Sequence, residues 1–265
     1  MKGVHENIKP KNEIEFKAWL KSELGFDING QYEFYYKTVV QALKRDFESS
    51  DFWRKVLDNL PEINDQYRID KGVYLLIPSN APEIHVKSLD SLVIKAFRKN
   101  ILNNKFPEAP SGGWITPDNW FEKINDIVRT TIVVKYLDGV EFTIDKLKQF
   151  SDDFGLGFNS SLEARDEGYY AAHSGISMPL SIPDKNFSPI NVTINIEVQV
   201  TTQIQEIIKT LLHKHYENNR KVLSPTDYKW QWDYKSPEFT PNYLGHIVQY
   251  VEGMIVEVRD REKGK

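Results

Sequence analysis

The stretch NVTINIEVQVTT, residues 191–202, alternates from Asn191 to Thr201. Val192, Ile194, Ile196, Val198 and Val200 are apolar, while Asn191, Thr193, Asn195, Glu197, Gln199 and Thr201 are polar. Period two specifies a strand with one apolar face, because a slip of one residue would turn the whole apolar set outward. Directly after it, Ile204, Ile207, Ile208, Leu211 and Leu212 trace one helical face up to Tyr216. A half-polar strand feeding an amphipathic helix requires a sheet with helices packed on it. The polar face carries Glu197 and Gln199, either wetted or turned into a site.

The rest of the chain interleaves the same two periods. Residues 13–60 read as helices. EIEFKAWLKSEL places Ile14, Phe16, Leu20 and Leu24 near one face. Residues 31–60 keep helical spacing without Pro or Gly, and ESSD predicts a break into two helices. GVYLLIP (72–78), EIHVK (83–87) and DIVRTTIVVKY (126–136) read as strands. SLDSLVIKAFRKNIL reads as a helix capped by Ser88 or Asp90. TPDNWFEKIN is a short helix, TIDKLKQFSDDFG a helix stopping at Gly155, and YLGHIVQYVEGMIVEVRD a last helix. Loops are expected at EAPSGGWITPDN, at 178–190 with its three prolines, and at 222–242 with KWQWDY. The predicted class is α/β or α+β, a mixed sheet flanked by helices.

A chain of 265 residues can bury one sizeable core. The expected organisation is a single domain over 1–265: N-terminal helices to 65, a core over 66–220, and an aromatic loop and helix over 221–265. A net charge of −4 gives no global basic footprint for nucleic acid, though a local patch stays open. The absence of cysteine excludes a disulfide scaffold and thiolate metal sites and suits the cytoplasm. No apolar run is long enough to span a membrane, and MKGVHENIKPKNEIEF lacks the apolar core of a signal peptide.

Two acids stand out by position. Asp126 opens an apolar strand and Glu197 sits mid-strand on the polar face. Such carboxylates hold Mg²⁺ through oxygen or take a proton from an attacking hydroxyl; the bland reading is solvated acids. Lys87, Ser91, Lys95 and Arg98 share a helix face opposite Leu89, Leu92 and Val93, which fits phosphate binding or simply a solvated basic face. No GxxxxGK[ST], GxGxxG or HExxH is present. His213 and His215 are two apart on a helix and so face different ways.

The order of segments carries more than any one of them. HVKSLDSLVIKAFRK, INDIVRTTIVV, GYYAAH and IEVQVTTQIQEIIKTLLHKHY, over roughly residues 72 to 220, resemble the synthetase domain of the RelA/SpoT alarmone family. There the pieces look like R-x-K-x-x-x-S-x-x-x-K, D-x-x-G-x-R, G-Y-R-x-x-H and E-x-Q-x-R-T before a helix with a His. The resemblance implies a nucleotidyltransferase-like mixed sheet with helical extensions at both ends. It implies transfer of the β,γ-pyrophosphate of ATP to a 3′-hydroxyl, with Mg²⁺ as cofactor. Asp126 then matches the metal ligand and Glu197 the second carboxylate, which activates the hydroxyl or shares the metal. Lys87, Ser91 and Lys95, with Arg98 beyond, match the phosphate-binding run. Tyr169 matches the tyrosine stacking on the acceptor base, His173 the histidine of that loop, and His213 the histidine of the following helix. Gln199 would orient the acceptor.

Each of the four motifs departs from the pattern. His85, Arg129 with Thr131, Tyr170 and Thr201 stand at the places of Arg, Gly with Arg, Arg and Arg. Arg129 and His85 would have to hold the adenine of ATP in place of two guanidinium planes. VTTQIQE, GYYAAH and DIVRTT look more like the toxic small synthetases, some of which place pyrophosphate on the 3′ end of tRNA while others make alarmones. The acceptor is thus GDP or GTP, or a tRNA 3′ end, the latter favoured modestly by basic KTLLHKHYENNRK. The resemblance implies an antitoxin partner for a toxic member and leaves oligomerisation open. Two alternatives stand beside it: a catalytically inactive nucleotide-binding or regulatory module of the same fold, and a nucleotidyl transferase, for which a D-x-D pair is missing.

Overall fold

The computed structural model describes residues 8–77, 81–184, 188–219 and 229–263. Eight helices are described: α1 (Glu13–Leu24), α2 (Gly30–Glu48), α3 (Asp51–Lys71), α4 (Leu89–Phe97), α5 (Trp120–Lys123), α6 (Asp138–Asp153), α7 (Gln203–Asn219) and α8 (Phe239–Lys263). The strands are β1 (Ile84–Val86), β2 (Val128–Val134), β3 (Gly157–Ala164), β4 (Tyr170–Pro183) and β5 (Pro189–Thr202). They form one mixed sheet in the order β1-β2-β5-β4-β3. The strand NVTINIEVQVTT is thus central, which explains its unbroken apolar face: Ile194, Ile196, Val198 and Val200 are fully buried. Its polar face is not wetted throughout. Gln199 and Thr201 are buried too, so the strand is covered on both sides as it approaches α7.

Two compact units are distinguishable. The first comprises Met1–Ser50, Ile84–Arg129 and Ile176–Glu197. In it α1 and α2 pack on α4, and α2 lies on β1. Its core holds Phe16, Leu20, Tyr36, Val40, Leu92 and Trp120. Asn12 caps α1 by accepting from the Glu15 N–H, and Asn29 caps α2 by accepting from Gln31 and Tyr32. On α1 the buried set is Phe16, Trp19 and Leu20, whereas Ile14 is exposed. The expected face was therefore rotated by the large Trp19 ring, which stacks on Phe16.

The second unit comprises Asp51–Glu83, Thr130–Gly175 and Val198–Lys265. In it α3 packs on α6, α6 on β3, and α7 on α8. The break expected at ESSD separates α2 from α3. Tyr67 of α3 donates to Asp138 Oδ1 at 2.7 Å, and Arg259 of α8 donates to Asp138 Oδ2 at 2.7 Å, tying three helices at one carboxylate. Burial pushes the Asp138 carboxyl up, but Arg259 and Tyr67 outweigh it and hold it below the ordinary range.

Three expectations change. GVYLLIP is not a strand: it makes a single antiparallel bridge, Leu76 to Val134. The Leu76 N–H donates instead to Asn64 Oδ1 at 2.8 Å, so no ladder extends through it. The stretch 178–190 is mostly strand, its residues 185–187 lying outside the described residues. Pro179 is tolerated because β3 has eight residues and β4 fourteen, leaving the far half of β4 without a β3 neighbour. In 222–242, residues 222–228 are outside the described set. A 3₁₀ turn covers Trp230–Trp232, and α8 begins earlier than expected, at Phe239.

Candidate functional site

The site is built at the end of β1. Ser88 caps α4, its Oγ accepting from the Ser91 N–H at 3.3 Å and its hydroxyl donating to Ser91 Oγ at 2.9 Å. Lys87 therefore precedes the first turn of a helix, while Lys95 projects from its last turn back toward the N-terminus. The Lys87 N–H donates to Ile127 O at 2.9 Å, which brings the entry to β2 alongside. Tyr36 of α2 donates its hydroxyl to Lys87 O at 2.8 Å and fixes that backbone from the other side.

Asp126 sits in the resulting corner, its side chain 13 % exposed. Lys87 Nζ lies 2.8 Å from Oδ2 and Lys95 Nζ 2.8 Å from Oδ1. Burial pushes the Asp126 carboxyl up, but hydrogen bonds and charge from the two lysines outweigh it and hold it below the ordinary range. Burial and the nearby Lys95 also pull the Lys99 ammonium down, with Asp126 opposing them. Lys99 was missed by sequence reading, although its i+4 step from Lys95 was the signal. Arg98, the residue chosen, follows α4 as its C-cap, and Arg98 and Lys99 are both exposed.

Glu197 stands on β5, neighbour to β2 in the sheet, and is half-buried. Asn195, two residues before it on the same face, donates to Asn125 Oδ1 at 3.5 Å and accepts from Ser177 Oγ at 2.7 Å. Asn125 precedes Asp126, so β5 passes the Asp126 corner at this level. Asn195 is a second missed residue, and its signal was the alternation itself. His85 on β1 and Arg129 on β2 are exposed on neighbouring strands.

The residues expected on the acceptor side belong to the second unit. Tyr169 OH and His173 Nε2 are 2.9 Å apart, and the Arg165 guanidinium lies 5.0 Å from the Tyr169 ring centroid. Arg165 is held by Glu163 at 3.0 Å. It had no motif to reveal it. Gln199 is 6 % exposed, and Lys209 of α7 donates to its Oε1 at 3.4 Å and to Glu206 Oε2 at 2.8 Å. The amide thus meets a lysine rather than open solvent. His213 lies in α7, and its side chain is outside the described residues, as is most of KTLLHKHYENNRK.

The departures also have places. The Tyr170 hydroxyl and His246 Nδ1 are 2.8 Å apart, and the Thr201 hydroxyl donates to Tyr170 O at 3.2 Å. Both side chains hold the second unit together. Gly168 adopts φ 76°, and a Cβ on it would collide with the Asn242 carbonyl of α8, so the turn before Tyr169 is moulded to that helix.

Among the described residues no three His, Cys, Asp or Glu side chains cluster as a ready-made cation site, and no helix is long and apolar enough to cross a membrane. The donor chemistry at Asp126 and Glu197 is hard carboxylate oxygen. That suits Mg²⁺, which takes one or two protein carboxylates and completes its shell with water and substrate phosphates. Two ammonium groups beside Asp126 oppose a bare cation there, so an ion would have to arrive with phosphate charge.

With this geometry the chain resembles solved structures of low sequence identity. A GTP pyrophosphokinase family protein from Streptococcus pneumoniae matches with a TM-score of 0.52 at 16 % identity, over 88 % of this chain and 94 % of that one. Small alarmone synthetase 1 from Bacillus subtilis matches with a TM-score of 0.52 at 14 % identity, over 89 % and 97 %. The fold is that of a small alarmone synthetase. A protein from Streptococcus mutans UA159 matches with a TM-score of 0.50 at 18 % identity, over 88 % and 97 %. No family model matches the sequence, and no curated protein matches it.

Proposed function

We propose that this chain is an Mg²⁺-dependent pyrophosphokinase that moves the β,γ-pyrophosphate of ATP to the 3′-hydroxyl of a nucleotide acceptor. The observation that carries the reading is the clasp of Lys87 and Lys95 on Asp126, at 2.8 Å each. Two ammonium groups against one carboxylate leave a surplus positive charge in a largely enclosed corner, and a phosphate chain is the ligand that balances it. Ser91 and Arg98 extend the same helix face, and His85 and Arg129 flank it for the adenine.

Bound Mg²⁺ supplies neutralisation of the charge that builds on the transferred phosphates. Asp126 and Glu197 would hold it, and Lys87, Lys95 and Lys99 would keep the phosphate chain in line. Glu197 accepts the proton of the 3′-hydroxyl as that oxygen bonds to the β-phosphorus. The bond from the β-phosphorus to the α-phosphate oxygen breaks, and AMP leaves. Tyr169, with Arg165 over its ring, offers a stacking surface for the acceptor base, and Gln199 with Lys209 orients its polar groups.

The acceptor is a guanosine nucleotide, GDP or GTP, or a tRNA 3′ end. Exposed Trp232 and Tyr234, beside the Trp230 ring that stacks on His246, support a single-stranded nucleic-acid end. A chain acting on tRNA would need restraint by an antitoxin protein. Incubation with labelled ATP, Mg²⁺ and a panel of GDP, GTP, ATP and deacylated tRNA tests the reading. Label must pass to at least one acceptor and must fail to pass with Glu197→Gln.

A second reading, an inactive nucleotide-binding module, is favoured by one observation. Positions 131, 170 and 201 carry no cation, and Tyr170 and Thr201 are committed to internal hydrogen bonds. ATP binding by calorimetry without transfer to any acceptor would select it.

A further inference from the structure

Strand β4 lacks a side chain at Gly175, inside its run from Tyr170 to Pro183. The φ of Gly175 lies outside the left-handed region, so backbone conformation does not call for glycine there. Its neighbour does. A Cβ on Gly175 would lie 2.8 Å from Asn159 Oδ1 and 3.0 Å from Asn159 Nδ2. Asn159 belongs to β3, which pairs with β4. Its amide therefore lies across the β4 backbone where a side chain would otherwise stand. Glycine inside a strand weakens it and marks a place that another group must approach closely.

Two lines of contact fix which face this is. Side chains alternate along a strand, so a Gly175 side chain would share a face with His173. His173 Nε2 lies 2.9 Å from the Tyr169 hydroxyl, which puts the Tyr169 ring on that face too. On β3 the same alternation sets Glu163 on the face of Asn159. Glu163 holds Arg165 at 3.0 Å, and the Arg165 guanidinium lies over the Tyr169 ring. Asn159, His173 and Tyr169 thus line one face, and all three belong to the second unit.

We infer that Asn159, laid across Gly175, is a specificity-determining residue that reads the sugar of the acceptor and selects a ribonucleotide over a 2′-deoxyribonucleotide. The inference rests on the proposed function, in which the acceptor base stacks on Tyr169. Before Tyr169 the chain turns at Gly168 hard against the Asn242 carbonyl of α8, so room along the strand lies on the His173 side. A base on the Tyr169 ring therefore carries its sugar toward His173 and Gly175, two residues or about 7 Å further along β4. The floor there is bare backbone, which admits a sugar at close range. Asn159 is exposed, so its amide keeps a donor and an acceptor available at the edge of that floor. A neutral amide matches a hydroxyl, which both donates and accepts, whereas a phosphate is better met by Lys or Arg. Of the two sugar hydroxyls the 3′ is the one that reacts, which leaves the 2′-hydroxyl for recognition.

The test uses the full chain and two matched pairs of acceptors: GDP with 2′-deoxy-GDP, and deacylated tRNA with the same tRNA ending in a 2′-deoxynucleotide. In the pair that takes label, kcat/KM is expected to favour the ribose form by at least about fivefold, the scale of one hydrogen bond. Asn159→Ala should cut that preference to about twofold or less. Gly175→Ala should do the same without altering Asn159, because its Cβ pushes the amide off the strand. The double variant should be no worse than either single one, since both remove the same contact. Melting temperatures of the variants report folding separately. A ribose preference that survives Asn159→Ala overturns the inference, and so does a double variant whose losses add. If neither pair takes label, the proposed function fails, and calorimetric binding of GDP and 2′-deoxy-GDP decides the inference by the same ratio. Equal or absent binding of the two then overturns it.

Discussion

Lys87 Nζ lies 2.8 Å from Asp126 Oδ2, a contact made where β1 ends and where the chain is about to enter β2. Neither residue is assigned by its own neighbours in sequence. The contact exists because the Lys87 N–H is bonded to Ile127 O, which forces the two segments to run together. The charge of Asp126 is therefore a property of the assembled corner.

That gives a first prediction, with its sign. The Asp126 carboxyl is held below its ordinary range, so it contributes stability at pH values above its unfolded value. The contribution is lost as pH falls through the folded value. Lys87→Met removes one of the two groups that outweigh burial, and the folded value rises. The acid limb of unfolding, followed by circular dichroism, should move to higher pH in the variant. Transfer activity should fall by about 100-fold or more, with most of the loss in binding of ATP.

Glu197 is expected to separate fold from chemistry. It is half-buried on a central strand whose apolar face is complete without it, so Glu197→Gln should leave the melting temperature nearly unchanged. On the proposed function, in which it takes the proton of the 3′-hydroxyl, its loss should lower kcat by about 10²- to 10⁴-fold while nucleotide binding persists. A variant retaining more than about a tenth of the rate would remove Glu197 from the catalytic role.

Most of the framework was legible in the sequence because its signals are local. The alternation of β5, the Ser88 cap and the break before Asp51 each depend on adjacent residues. What was not legible depends on distant ones. GVYLLIP has strand composition, but Asn64 of α3 takes its N–H. Strand β4 contains prolines that only a short β3 permits. The motif positions pointed to Lys87, Lys95 and Asp126, which the structure brings into contact, but not to the other company they keep. Asn195, Lys99, Arg165 and Lys209 carry their meaning in side-chain contacts that no spacing rule reports. On α8 Glu252 is buried while Ile247 is exposed, which was likewise hidden, since helical periodicity shows two faces without saying which one is inside.

Gly245 offers a way to disturb the acceptor side without touching a reacting group. A Cβ there would collide with the Gly168 carbonyl, so Gly245→Ala must push α8 away from the turn that precedes Tyr169. The expected result is a loss of about 1–3 kcal/mol in stability. On the proposed function, KM for the acceptor should rise several-fold while KM for ATP changes little, because the groups assigned to ATP lie in the first unit. Steady-state kinetics with each substrate varied in turn separates the two.

Glu252 gives the last prediction, and its sign is opposite to that of Asp126. Burial raises this carboxyl above its unfolded value, so the folded chain holds the proton more tightly than the unfolded one. The associated stability is fully present below the unfolded value, about 4.3, and is lost as pH rises through the folded value. Glu252→Gln keeps the shape and removes the charge. It should therefore stabilise the chain by about 1 kcal/mol at neutral pH and by almost nothing near pH 4. Melting curves of the two proteins across that range should converge on the acid side. Parallel curves with a constant offset would mean that Glu252 is already neutral throughout, and that its cost is one of packing rather than charge.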